Sequence, residues 1–561
     1  MSILTNALSG LLASRSSLVT TTNNISNANT EGYSRQRTEL ADRGSQFLSG
    51  VRLGNGVGVN GVSRAYTDLI NAEINRNTSL ASSLTSSQQQ LSRIDSIISA
   101  DGAGINDAFL AFYESAQDLS VRPTDIVARN SFLAKTDALV SRFNDLDRLI
   151  SDVKNEGTKQ ISESVGYVNQ LSSEIANLNK LILQSTSSDG QRPNELLDAR
   201  DLAVERLAGE IEVQRVIQDN GSFSIFLKNG QPLVADSSAY EIAARQNPVD
   251  PEEVQIGVRA PIAGSLQFVS FGPDRLGNGK IGGLLSAQKR LDEYQNTLGL
   301  VSVRFAEEVN SAFENGFDLD GNPGSPLISF AGQVGFNNGF SQVTPNEFNA
   351  DQSVTFSSLT FDSSVIFPKQ FEVYQKAGQL YAREKGSNVE GLVVTNDGAG
   401  NYNAGDFQFT LSGPVSDGDS FIVSPVKLGA KNITVSIKDP YALATSKDPA
   451  LVGDNGVMLD IVGLQSAIKV YTSSGAKGAT ILNAFTDLVN RVGNDKKTID
   501  SSLLAQDAVL FQSKSEKDSA VGVNLDEEAA NLIKFQQSYQ AASQVISVER
   551  SLFEGLLNTL R

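Results

Sequence analysis

Apolar residues recur every seven positions at both ends of this chain. Near the start, Leu4, Leu11, Leu18 and Ile25 share one helical face, with Ala7 and Leu8 adjoining it. Near the end, Leu525, Leu532, Tyr539, Ile546, Phe553 and Leu560 form a longer lattice flanked by Phe535, Ala542 and Leu556. Chain ends ordinarily fray and carry little apolar patterning. Two terminal helices with an apolar stripe each are therefore expected to act as an assembly interface, packing on one another and on neighbouring copies. At ~1.5 Å per residue the first spans roughly 37 Å and the last about 50 Å, long enough to pair along most of the shorter one. The one charged side chain among residues 1–30 is Arg15, in a helix whose polar face is otherwise Ser, Thr and Asn. An antiparallel pair with Leu4 near Leu556 brings Leu18 near Ile546 or Phe553 and sets Arg15 opposite Glu549, a polar contact suited to fixing register.

The first stripe runs into "TTTNNISNANTEGYSRQR" at 20–37, where four asparagines and a Gly-Tyr close the helix. Asn and Gly accept the left-handed conformation of helix ends, so a cap and turn follow. The next stretch, "SGVRLGNGVGVNGVSRAYTDL", alternates Val and Leu on mainly odd positions and predicts a hairpin. Gly56, Gly58 and Gly61 fit G-x-G-x-x-G, but a long helix follows in place of a strand–helix–strand unit, and a glycine-rich β turn is the expected form.

From Tyr66 to about Gly209 heptads return. Ile70, Leu84, Leu91 and Ile98 mark one helix, Phe132, Leu139, Leu146 and Val153 a second, and Ile161, Val168, Ile175 and Ile182 a third. Ordinary core packing in a rod-shaped bundle accounts for them. Period-two alternation in "GSFSIFLKNGQPLVA" predicts β hairpins over 211–275, and helix resumes at 280–314. The Gly-, Asn-, Asp- and Ser-rich region 330–430 reads as an inserted, mainly β domain. "DLDGN" at 318–322 lacks the third acid and distal Glu of a calcium loop and is expected to be a turn.

The chain has 561 residues and no Cys, His or Trp, which removes disulfides, imidazole bases and most transition-metal sites together. No cofactor and no metal are expected. Carboxylate chemistry such as muramidase action in the inserted region stays formally open, since two carboxylates suffice for it. The net charge of −18 without a basic cluster argues against nucleic acid and anionic membranes as partners. No apolar run is long enough to span a bilayer, and no secretory signal opens the chain. Four Asn-x-Ser/Thr matches, at Asn24, Asn77, Asn220 and Asn432, are read as chance.

Four stretches together carry a resemblance: "NNISNANTEGYSRQR", "GVGVNGVSRAYTDLI", "PNELLDARD" at 193–201, and "NLDEEAANLIKFQQSYQAASQVISVERSLFEGLLNTL". They resemble the bacterial flagellar hook-associated protein 1 family, most specifically through Asn27, Asn29, Thr30, Gly32, Tyr33, Ser34, Arg35 and Gln36. Hook and rod relatives are similar up to the Gly but usually continue with Phe. The resemblance covers both ends and most of the helical rod; 330–430 carries none. It implies a mainly α chain with inserted β, a discontinuous multidomain axial protein with terminal coiled-coil helices. Residues 1–40 and 520–561 would build the inner tube, 41–329 and 431–519 the rod, and 330–430 an outer domain. It further implies a non-enzymatic, extracellular junction between hook and filament, exported unfolded through the flagellar type III channel. The implied partners are further copies in a ring, the hook protein, a second junction protein and an export chaperone. A flagellin-like filament subunit or a rod or hook protein is the alternative.

Overall fold

The computed structural model describes residues 2–48, 51–98, 104–186, 191–248, 253–262, 265–272, 275–331, 339–351, 353–361, 368–387, 389–398, 400–470 and 478–559. Helix α1 (Ser2–Ser26) leads into an antiparallel strand pair, Gln36–Asp42 with Val57–Arg64, whose outer end is a smaller hairpin, Ser45–Leu48 with Val51–Gly54. The glycine motif lies in this strand pair and its turn, with no helix opening after it. Gly56 is needed there twice over: its φ is +85°, and a Cβ would collide with the Ser9 hydroxyl of α1.

The rod is built from α2 (Asp68–Ile98), α3 (Ile105–Val121), α4 (Ile126–Ser185), α5 (Asn194–Glu210) and α6 (Gly279–Glu314). Later in the chain come the short α7 (Gly429–Asn432), α8 (Gly456–Gly463) and the long α9 (Ile481–Val521), and α10 (Leu525–Thr559) closes it. The second and third helices expected from the heptads are one: α4 runs unbroken for 60 residues. Its start is capped by Asp125, whose carboxylate accepts the Val127 N–H at 2.8 Å. Gly157, where the heptad phase slips, stays within the helix and faces α6, with the Gln288 side chain 3.6 Å from where a Cβ would stand.

Two cores share α4 and α6. One gathers the first half of α4, the second half of α6, α3, α8 and the start of α9 around an edge-to-face group of Phe109, Phe143 and Phe305. The other packs the second half of α4, α5 and the start of α6 against a four-stranded sheet (213–239) and a three-stranded sheet (242–271). Between them lies a buried polar layer in which Lys154 pairs with Asp292 and Gln295 bonds Asp147 at 2.9 Å. A third core belongs to the inserted region, where a five-stranded and a four-stranded antiparallel sheet close on Phe356, Phe407, Phe409 and Phe421. "DLDGN" is a turn: the Asp318 carboxylate accepts the N–H groups of Asp320 and Asn322, both at 2.8 Å.

Candidate functional site

The four stretches quoted above, far apart in sequence, converge on one place. Asn24, in the last turns of α1, is 1% exposed and fully bonded. Its amide donates to the Gln36 carbonyl at 2.9 Å and to the Glu528 carboxylate at 3.0 Å; its oxygen accepts the Gln36 N–H and the Tyr33 hydroxyl, both at 2.9 Å. The side chain thus extends the strand beginning at Gln36 and ties it to α10. Arg35 closes the same contact, bonding Glu528 and Glu527 at 2.8 Å each while its N–H donates to Val521 O at the end of α9. Glu528 is almost wholly buried beneath it.

One residue away the Ser34 N–H donates to Asp198 at 3.0 Å. Arg64, at the end of the strand pair, bridges Asp198 and Asp201 of α5, each at 2.6 Å, with its guanidinium over the Tyr66 ring. Burial works against the Arg64 charge, but Asp201 and Asp198 outweigh it and hold the group above its ordinary range. Arg215 completes the cluster, pairing with Asp68 at the start of α2. The loop between is folded on itself. Asn27 donates to Asn23, Thr30 to Asn27, and Gly32, at φ +81°, lies against Leu202. Asn29 is exposed. Nothing here is a nucleophile beside a base, and the described residues hold no cluster of three or more acids able to bind a metal. What the arrangement can do is hold: it anchors both terminal helices to the rod.

Because Asn24 meets Glu528 while α1 and α10 lie alongside, the pair is antiparallel. Counting back from that contact at ~1.5 Å per residue, Leu4 comes level with about Val548, Leu18 with about Lys534 and Arg15 with about Gln537. Arg15 and Glu549 are therefore some 18 Å out of step by the same rise, so that register pair is not formed, and Leu18 does not reach Ile546 or Phe553. A hydrogen bond at the end of the pair sets the register, not an ion pair within it. Leu560 and the Leu556 side chain lie outside the described residues.

The face of α1 that is buried is its small and polar one: Ser9, Ala13, Ser17, Thr20, Thr21 and Asn24. It lies on the strand pair, where Thr20 and Thr38 share a hydroxyl bond at 3.0 Å, and nearer the start of α1 Asn6 donates to Gly54 O of the smaller hairpin at 2.9 Å. Leu11, Leu18 and Ile25 are half-buried, as are Leu532, Tyr539 and Ile546 on α10, while Leu4 and Phe553 stand exposed. The outward sides carry more apolar groups: Ile3, Leu8, Leu12 and Val19 on α1, and Ile533, Val545, Val548, Leu552 and Leu557 on α10, all exposed. Sequence reasoning noted Asn24 only as a chance glycosylation match and singled out neither Glu528, Asp198 nor Arg64, although all four lie in the quoted stretches.

Burial, with the Asp198 and Glu528 carboxylates nearby, pushes the Tyr33 hydroxyl from 10.0 up to about 12, and burial does the same at Tyr66. The fold favours the neutral phenols. Their contribution is complete below pH 10 and is lost as the pH rises from 10 towards 12, where the unfolded chain has released protons that the native state still holds. Urea unfolding across that window should show stability falling, with a shallower fall in Tyr33→Phe; equal slopes would mean that Tyr33 does not report on the site.

Comparison with known proteins agrees with the placement of these stretches. The family model for the flagellar hook-associated protein FlgK helical domain matches residues 91–328. That for flagella basal body rod protein matches 4–33, and that for the flagellar basal body rod FlgEFG protein C-terminal matches 518–559. Flagellar hook-associated protein 1 of Salmonella typhimurium is 31% identical over 99% of both chains, and that of Escherichia coli 32% identical over 99% of both. The Bacillus subtilis protein of that name is 23% identical over 99% of this chain and 97% of its own. The structure of the flagellar hook junction protein FlgK from Burkholderia pseudomallei shares the fold with a TM-score of 0.70 at 22% identity, covering 80% of this chain and 100% of that one. With 31–32% identity over 99% of both chains, the chain belongs to the flagellar hook-associated protein 1 family.

Proposed function

We propose that this chain is a structural junction protein of the bacterial flagellum, an extracellular adaptor ring between hook and filament. The observation that carries the reading is the terminal pair: α1 and α10 are fixed to the rod by a buried polar node, yet keep large apolar side chains on their outward sides. A stripe such as Val545, Val548 and Leu552 is stable in water only at a cost, and packing against neighbouring copies removes it. In the ring the two helices of each copy form a coiled-coil inner tube from 1–40 and 520–561. The rod (41–329 and 431–519) surrounds it and the 330–430 domain lies outermost. The hook protein and a second junction protein are the axial neighbours. A chain without cysteine carries no disulfide that would obstruct export unfolded with a chaperone. The absence of His and Cys from the sequence supports a non-enzymatic role.

Val548→Asp and Leu552→Asp test this. Each is expected to leave the thermal midpoint of the purified monomer unchanged and to abolish filament growth on the hook, because a charge is forced into a closed apolar contact. Ile546→Asp, on the half-buried side towards α1, is the control and should lower the midpoint itself. Filaments of normal length on cells carrying Val548→Asp and Leu552→Asp would overturn the assignment.

A further inference from the structure

The inserted domain has its own core and joins the rod where its two chain crossings meet. There the Leu428 N–H donates to Phe340 O at 2.9 Å and the Ser341 hydroxyl to Pro425 O at 2.6 Å. Phe361 packs against both cores at this junction. A join at one place alone still lets such a body pivot. A second attachment exists, beyond the strand Gln342–Pro345, against the hairpin of the rod's three-stranded sheet (Ile242–Gln246 with Val254–Ile262). Glu253 of that hairpin pairs with Lys385 of the inserted domain at 2.5 Å, and Arg245 with Glu347 at 3.4 Å. The Glu347 N–H donates to Pro248 O at 3.1 Å.

We propose that these contacts form an ionic latch that holds the inserted domain in one orientation on the rod and releases it without unfolding either body. Its halves are built in advance. Glu253 is steadied by the Asn247 amide at 3.0 Å, and Asn247 in turn by Gln255 at 2.9 Å. Lys385 is steadied by Gln370 at 3.2 Å. The Arg245 guanidinium lies over Phe268 of the rod at 4.2 Å and 5.7 Å from Phe348 of the inserted domain, so that an aromatic ring from each body flanks one cation. Among these two described pairs the polarity is crossed: the rod offers Arg245 and Glu253, the inserted domain Glu347 and Lys385. Sliding by one pair sets Arg245 against Lys385 and Glu253 against Glu347, so the pairs favour the observed seating. All four side chains are partly exposed, which leaves the pairs open to screening by salt.

The cysteine-free sequence makes the test direct. Nitroxide labels at Gln170→Cys on the rod and Thr395→Cys on the inserted domain, both exposed sites, report the distance between bodies by electron spin resonance in the full chain. A single narrow distance is expected in low salt. It should be lost in about 1 M salt, where the screening length falls to ~3 Å. It should also be lost in Lys385→Glu and in Glu253→Lys, and return in the double reversal. A narrow distance that survives both single reversals, a distribution already broad in low salt, or a double reversal as broad as the singles would overturn the latch. The salt series needs no substitution at the latch, and circular dichroism identifies a reversal that fails to fold.

Discussion

Replacing Arg64 by leucine is expected to destabilise the monomer by about 3–5 kcal/mol, the range seen when one partner of a buried ion pair is removed. The guanidinium bridges two carboxylates at 2.6 Å, all three side chains being 12% exposed or less. Without it, Asp198 loses its cation and Asp201 keeps only Arg215, at 3.7 Å, in a site that burial keeps poor in water, and Ser34 loses the fixed acceptor that seats the connector. Arg64→Lys should recover only part of the loss, because one ammonium cannot present the two-pronged donor set that both aspartates use. Urea unfolding measures this, and a loss below about 1 kcal/mol would show the cluster to be surface-like.

Asn24→Asp is the second large effect, expected at about 3 kcal/mol from the loss of two donor contacts and the approach of two buried carboxylates. The introduced carboxylate would turn an acceptor towards Gln36 O, where the amide now donates at 2.9 Å, and towards Glu528, now at 3.0 Å. The sign of the partner's charge separates these causes. Glu528→Gln in the same chain supplies a donor to the new carboxylate and removes the repulsion, so the double variant should be more stable than Asn24→Asp alone, as read from urea midpoints. A double variant as weak as the sum of the singles would mean that the Gln36 contact carries the whole effect.

These two residues show where sequence patterning stops. The heptads located α1 and α10, and alternation located the hairpin Phe223–Leu227 with Pro232–Ala235, because apolar spacing reports directly which faces leave water. A polar face of Ser, Thr and Asn with a single charge suits a helix packed on several sides, but its spacing does not say which partner covers it; Ser9 and Asn24 are inside because the strand pair brings backbone donors against them. The break read between Val153 and Ile161 is not a loop but a polar layer, where Lys154 and Asp292 replace apolar contacts without interrupting the helix. The Arg15–Glu549 pairing failed for a related reason. The expected register places Leu4 near Leu556 and takes the lone charge within the helix as its lock, whereas the neutral Asn24 amide at the helix end fixes it.

That uninterrupted α4 has a mechanical meaning. At ~1.5 Å per residue its 60 residues make a beam of about 90 Å, gripped along one half by one core and along the other half by the second. Two helices joined by a loop at Gly157 would bend there under load. A single helix instead spreads a bending moment over its whole hydrogen-bond ladder, and α6, crossing the same polar layer, braces it from the side. The two cores that grip it are thereby held in one fixed relation, so that bending one half of the beam moves the other with it.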